Sequence, residues 1–203
     1  NIYKYKWIDN KLQDPILLKS LPAYPDAIMH HGGVMTVGKD GTVYATIGDQ
    51  DNQDSARGDN ILQNQFGPPD DTGVILPVDP TGPYYAIGIR NSFGLAVDPV
   101  TGYLWDTENG ENYFDEINLV KPRFNSGWNS VMGPTDRENP DTHPCAGGVL
   151  GNESNCPVEY RGSQPIPPTF ENFVYSDPEF SFYHAVGLTA IEFPDKGSFE
   201  KYS

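Results

Sequence analysis

The amino-acid sequence predicts an all-β fold of the β-propeller type, and three observations lead there. Short apolar runs, rich in β-branched and aromatic residues, alternate with turn chemistry along a chain that carries 21 glycines and 19 prolines. One unit, made of an apolar strand, an Asp/Gly turn, a second apolar strand and a polar glycine loop, recurs along the chain. No stretch has convincing helical length and period. Repeated four-stranded sheets around an axis are the architecture that such short, regularly turned strands suit best.

The elements follow in order. One outer strand is expected ahead of the first full unit. Val34-Met35-Thr36-Val37, the turn GKDG (38–41) and the run Thr42-Val43-Tyr44-Ala45-Thr46-Ile47 then read as a tight β-hairpin. GLAVDPVTGYLWDTENG (94–110) repeats the same order, and GLTAIEFPDKGSFEKY (187–202) begins it a third time. Aligned on Gly41, Gly102 and Gly197, the units are spaced by 61 and 95 residues. Plain propeller blades need only about 40 to 45. The excess has a home in two long polar stretches, 49–73 and 131–170, which are expected to be loop insertions. The 203 residues are therefore expected to form a single β-propeller domain or a fragment of one.

Composition narrows the partners. Thirteen basic residues against 28 acidic ones leave a net charge of −15, a field that repels phosphate backbones and anionic lipid surfaces. Neither a nucleic-acid partner nor membrane insertion is expected, because no run reaches the roughly 18 apolar residues of a spanning helix. The N-terminal NIYKYKWIDN lacks signal-peptide architecture. Cys145 and Cys156 bracket the polar loop CAGGVLGNESNC, a spacing that favours a disulfide closing a surface loop over two free thiols. The same loop holds the sequon Asn152-Glu153-Ser154. Both features point to an oxidising compartment: extracellular, periplasmic or on the cell surface.

Three stretches carry the candidate chemistry. HHGG (30–33) sets two histidines directly before the first hairpin, GIRNSFGL (88–95) places an arginine and an asparagine ahead of a strand, and TENGENYFDEIN (107–118) is a glycine loop rich in oxygen donors. Together HHGGVMTVGKDGTVYATIGDQ, GIRNSFGLAVDP and LWDTENGENYFDEINLVKPRFNSGWN resemble the soluble quinoprotein sugar dehydrogenases, the glucose/sorbosone dehydrogenase family of six-bladed propellers. The motifs occur in the family's order over about residues 24–130, with weaker similarity near 173–193.

The resemblance implies quinone- and calcium-dependent oxidation of an aldose sugar at C1, by hydride transfer to pyrroloquinoline quinone (PQQ). It places the general base on His30, three residues before Gly33, and leaves His31 as a neighbour without an assigned role. The chemistry needs a base of near-neutral pKa on a rigid element beside the cofactor, and a histidine at a strand mouth meets both demands. Arg90 and Asn91 match residues that contact the quinone oxygens, Arg90 stabilising negative charge on the reduced quinone. The backbone carbonyls of Gly110 and Glu111 match the ligands of a Ca²⁺ that bridges to the cofactor. Asp115 supports that site, Asn109 lies close enough in the loop to touch the cofactor, and Glu116 and Asn118 fix the loop by hydrogen bonds. Three positions depart from the family pattern: Ile89 where a His is frequent, Phe93 where a Gln contacts the cofactor, and Glu111 where a Pro is frequent.

Other readings stay open at this point. Asp49, Asp51 and Asp54 form an acidic group that lacks the glycine and flanking helices of an EF-hand, and solvated carboxylates are its default reading. Asp49 alternatively lies near the substrate. Phe180, Phe182, Tyr183 and His184 either line the substrate mouth or pack a strand, and Trp7, Trp105 and Trp128 read as core or rim residues. Six blades require at least about 240 residues, so two recognisable blades, a strand before them and the start of a further unit amount to about half a ring. Either the chain is a fragment, or a partner chain completes the ring, or the assembly differs. The alternatives to a dehydrogenase acting on a small-molecule sugar, whose electron acceptor the residues do not name, are two. One is a non-catalytic binding module that has lost the cofactor. The other is a calcium-dependent, lactonase-like hydrolase, which needs side-chain carboxylate and Asn ligands converging in a central channel.

Overall fold

The computed structural model describes residues 1–21, 29–50, 71–111, 113–128, 130–136 and 172–194, and these contain twelve strands and no helix. Cys145, Cys156, the sequon, Asp51, Asp54 and almost all of both insertions lie outside the described residues.

Where one outer strand was expected, the chain forms a hairpin of β1 (Ile2–Ile8) and β2 (Lys11–Lys19). Its two-residue turn is Asp9-Asn10, both at positive φ (50° and 57°), a conformation that short polar side chains tolerate. That turn pair was the signal for a second strand. Lys4 Nζ donates to Asp79 Oδ2 at 2.6 Å and fastens the hairpin to the first blade.

The first blade grows from the expected hairpin. β3 (Met35–Val37) and β4 (Val43–Ile47) pair antiparallel with Met35 opposite Ala45. The turn closes because Gly38 N donates to Thr42 O (2.8 Å) and Asp40 accepts from both Thr42 N and Thr42 Oγ1. β5 (Val74–Asp79) and β6 (Ala86–Ile87) extend the sheet antiparallel. Two short parallel additions, β10 (Phe124–Asn125) and β11 (Val174–Tyr175), complete the order β3-β4-β5-β6-β10-β11.

The second blade is a four-stranded antiparallel sheet in the order β7-β8-β9-β12. β7 (Ser92–Val97), β8 (Leu104–Glu108) and β9 (Tyr113–Val120) follow one another, and β12 (Phe180–His184) arrives from beyond the second insertion to close the outer edge. Its first turn uses Asp98 as the first blade uses Asp40, accepting from Val100 N and Thr101 Oγ1. The two turns sit side by side, Lys39 Nζ donating to Val100 O at 2.9 Å.

Strand alternation divides the core. Val74, Leu76 and Val78 face a cluster with Ala45, Ile47, Ile87 and Phe173, while Ile75 faces a second cluster with Ala86, Ile89, Leu95, Leu104, Val120 and Phe124 that glues blade to blade. Each such side chain, removed from water, stabilises by about 1.5–3 kcal/mol. β5 is therefore apolar on both faces.

The third unit departs from expectation. Residues 187–194 form no strand; they cross the second blade instead, where Gly94 leaves room for the backbone of Ala190 and Ile191 and Phe193 meets Trp105 edge to face at 6.1 Å. A strand needs a pairing partner; in this segment Gly187 N donates to the Asp115 side chain instead, and Ala190, Ile191 and Phe193 pack on the blade.

Candidate functional site at one rim

The hairpin turns point to one end of the blades, so the other end gathers the entry to β3, the exit of β4, the entry to β7, the exit of β8 and the chain after β10. His30, Arg90, Asn91, Asn109, Gly110, Glu111 and Asp115 fall there.

His30 stands at the mouth of β3 with φ +57°, followed by Gly32 and Gly33, also at positive φ. Gly33 N donates to Thr46 O (2.8 Å), pinning this bend to β4. His30 Nδ1 lies 2.7 Å from Asp49 Oδ1, and the two side chains are 8% and 1% exposed. That pairing leaves Nε2 as the ring nitrogen available to a reacting hydroxyl. His31 is exposed. Asp49 also accepts from Trp128 Nε1 at 2.7 Å through Oδ2, and its backbone N–H donates to Arg90 O at 2.9 Å. This corrects the loop-carboxylate reading of Asp49. Both its oxygens are committed.

Gly48 lies where two backbones cross. A Cβ there would collide with the His30 carbonyl and come within 2.8 Å of Arg90 O. Only glycine lets the His30 and Arg90 backbones approach this closely.

Arg90 (6% exposed) and Asn91 (8%) are buried beside it. Arg90 Nη1 donates to Asn109 O at 2.7 Å, its guanidinium carbon lies 5.1 Å from the centroid of the Trp128 ring, and its Nε has no partner among the described residues. Asn109 N donates to Asn91 O at 3.0 Å, and Asn109 Oδ1 is likewise buried without a partner among the described residues. Gly110 is buried and Glu111 exposed. The loop that holds them is anchored by Asp115, whose Oδ1 accepts from Gly110 N (2.9 Å). Its Oδ2 accepts from Val186 N (2.8 Å) and Gly187 N (2.7 Å).

Beneath the rim lies a set of buried acids that the sequence reading only partly anticipated. Glu108 accepts from Arg90 N (2.6 Å) and Ser126 Oγ (2.7 Å); Glu116 accepts from Gly133 N and from Asn118 Nδ2 (3.2 Å). The loop-fixing role expected for Glu116 and Asn118 falls instead to Asp115: Glu116 and Asn118 bond to each other on β9, and Glu116 reaches across to the Gly133 backbone rather than to the loop at Gly110. Burial pushes Glu116 up to about 8 and Asp106 to about 7, and burial with the Glu116 charge nearby holds Glu108 well above the usual carboxylate range.

Two departures from the family pattern fall away from this network. Ile89 is wholly buried in the interblade core, and Phe93 is 51% exposed on β7. Phe180 and Phe182 meet edge to face at 4.9 Å on the outer strand β12, with Phe180 54% exposed rather than in the core. Only the end of β12 nears the rim, where Tyr183 stacks on Tyr113 at 5.0 Å. Asp49 was legible only to within a residue: continuing the hairpin register past Met35 and Ala45 sets Asp49 opposite His31 and Gln50 opposite His30. Trp128 carried no such signal.

Comparison with known proteins identifies the family and the fold. The family model for glucose / sorbosone dehydrogenase matches residues 6–146, more than two thirds of the chain. A quinoprotein glucose dehydrogenase B of Acinetobacter calcoaceticus is 31% identical over 159 residues, which is 66% of this chain and 32% of that protein. An aldose sugar dehydrogenase of Escherichia coli strain K12 is 29% identical over 106 residues, 49% of this chain and 29% of that one. Among solved structures, the soluble aldose sugar dehydrogenase of Escherichia coli in its apo-form superposes with a TM-score of 0.68 at 17% identity, over 99% of this chain and 54% of that one. The likeness at that identity is one of fold, and identifies the two blades as part of a propeller. The chain spans about a third of the length of the curated relatives it matches. By its motifs, its blades and the match over residues 6–146, the chain belongs to the glucose / sorbosone dehydrogenase family.

Proposed function

We propose that this chain supplies the base-bearing rim of a quinone- and calcium-dependent sugar dehydrogenase that oxidises an aldose at C1. The observation that carries this reading is the buried His30–Asp49 pair set beside Arg90. A binding module has no need of an imidazole oriented by a carboxylate that is 1% exposed.

The residues present fit the cofactor. Arg90 Nε and Asn109 Oδ1 are buried polar atoms without partners among the described residues, the kind of group that a planar ligand ringed with oxygens and nitrogens satisfies. The Gly110 and Glu111 carbonyls are hard oxygen donors suited to Ca²⁺. Asp115 holds their loop through a backbone N–H at Gly110. When bound, PQQ with its Ca²⁺ supplies the hydride acceptor.

The protein's own work is then as follows. Asp49 accepts from Nδ1–H of His30, fixing the tautomer whose Nε2 takes the proton from the sugar's C1 hydroxyl and stabilising the imidazolium that results. Arg90, fixed by the Asn109 carbonyl and the Trp128 ring, holds positive charge where negative charge develops. Reconstituted protein is expected to reduce a redox dye with aldoses in the presence of PQQ and Ca²⁺, and His30→Ala to lower that rate at least about a hundredfold. An unchanged rate in the mutant would remove His30 from the chemistry. The coarse placement outside the cytoplasm belongs to the same reading, resting on the cysteine spacing and the sequon.

A further inference from the structure

We propose that Trp128 is a positioning residue, one indole that locks the His30–Asp49 pair to Arg90. The inference rests on the function proposed above for His30 and Arg90. Trp128 enters from the third side of the rim, after β10, and its backbone N–H donates to Gly88 O at 3.2 Å. The two preceding residues are held as well: Ser126 N donates to Ile87 O at 3.0 Å, and Gly127 N to Asn125 Oδ1 at 2.9 Å. The indole is thus presented by a well-tied segment.

Its two functional surfaces act on different partners. The Nε1–H donates to Asp49 Oδ2 at 2.7 Å while Asp49 Oδ1 faces His30 Nδ1 at the same distance, so the carboxylate is clamped between imidazole and indole. The ring face lies under the Arg90 guanidinium at 5.1 Å, a stack that also limits where the charge can point. Losing the N–H donor has a directional consequence. An indole hydrogen bond drains charge from Asp49; without it the carboxylate is the stronger partner of His30, and the imidazolium gains. The charged groups facing His30 are Asp49 at the exit of β4 and Arg90 across the indole, with His31 next in the chain.

The test is an NMR titration of His30 in the 203-residue chain, with its signals assigned by His30→Gln. Trp128→Phe keeps the ring beneath Arg90 and removes only the donor. It is expected to raise the His30 titration midpoint relative to the parent protein, while Asp49→Asn lowers it. A midpoint unmoved by Trp128→Phe but lowered by Asp49→Asn overturns the role of Trp128 and leaves the His30–Asp49 pair standing. A midpoint unmoved by both overturns the site itself. Should Trp128→Phe lose amide dispersion, the unsubstituted protein still decides the matter. The Trp128 Nε1–H resonance is expected to follow the His30 titration, and one that exchanges freely with water and ignores it overturns the proposal.

Discussion

At Gly48 a hydrogen atom stands where any other residue would set a Cβ between the His30 and Arg90 carbonyls. Gly48→Ala is expected to destabilise the fold by about 1–3 kcal/mol through overpacking, read as a lower urea midpoint, and to separate His30 from Asp49. A midpoint unchanged from the parent protein would show that the two loops are not packed this closely. The same scale explains what the sequence disclosed and what it withheld. His30, Arg90 and Asn91 were legible because ordered motifs name them. Asp49 was open between a loop carboxylate and a place at the rim, because its partner lies 19 positions away, across a hairpin whose register has to be extended. Trp128 stayed hidden among core tryptophans, since nothing local distinguishes an indole that donates to a carboxylate 79 residues earlier.

Along the strands, β8 was legible as the second apolar run of the repeated unit, whereas β9 (Tyr113–Val120) replaces much of the loop expected over 107–118, and the two strands bury Asp106, Glu108 and Glu116, which no period reveals. These carboxyls hold their protons to a higher pH in the folded than in the unfolded protein. The folded state therefore binds more protons between the ordinary carboxylate range and about pH 8, the value to which Glu116 is raised. Stability is fullest below that window and falls as pH rises through it. Glu116→Gln is expected to flatten the decline in melting temperature between pH 5 and pH 8 relative to the parent protein. Parallel curves for the two would place the pH dependence elsewhere. The hairpin β1–β2 was half legible: the first strand was expected, whereas the Asp9-Asn10 turn went unrecognised. The failure at 187–194 has the opposite cause, because the pattern was read correctly as strand-like but a strand forms only when a neighbour pairs with it.

For the whole molecule, the blades explain why the site is a rim: turns of like sequence lie at one end, and the loops that must differ lie at the other. The propeller class followed from the repeat, while the docking of β12 from beyond the second insertion could not, since sequence spacing says nothing of which edge a distant strand closes. The surface of β1–β2 carries Tyr3, Tyr5, Trp7, Leu12, Ile16 and Leu17, all more than 40% exposed, and Trp7 pairs across the strands with Leu12. An apolar hairpin of this kind is an invitation to association. The 203-residue chain is expected to self-associate at micromolar concentration in sedimentation experiments, and the double change Trp7→Lys, Leu12→Lys to return it towards a monomer; equal sedimentation of both would assign any association to another face. The most direct measurement of the central claim is a titration of the protein with PQQ, followed by the quinone's absorbance, with and without Ca²⁺ and in Arg90→Ala. Saturable binding that needs Ca²⁺ and weakens at least about tenfold in Arg90→Ala is the predicted result. Binding that ignores both the ion and the arginine, or no binding at any calcium concentration, would contradict the assignment of this rim to a quinone.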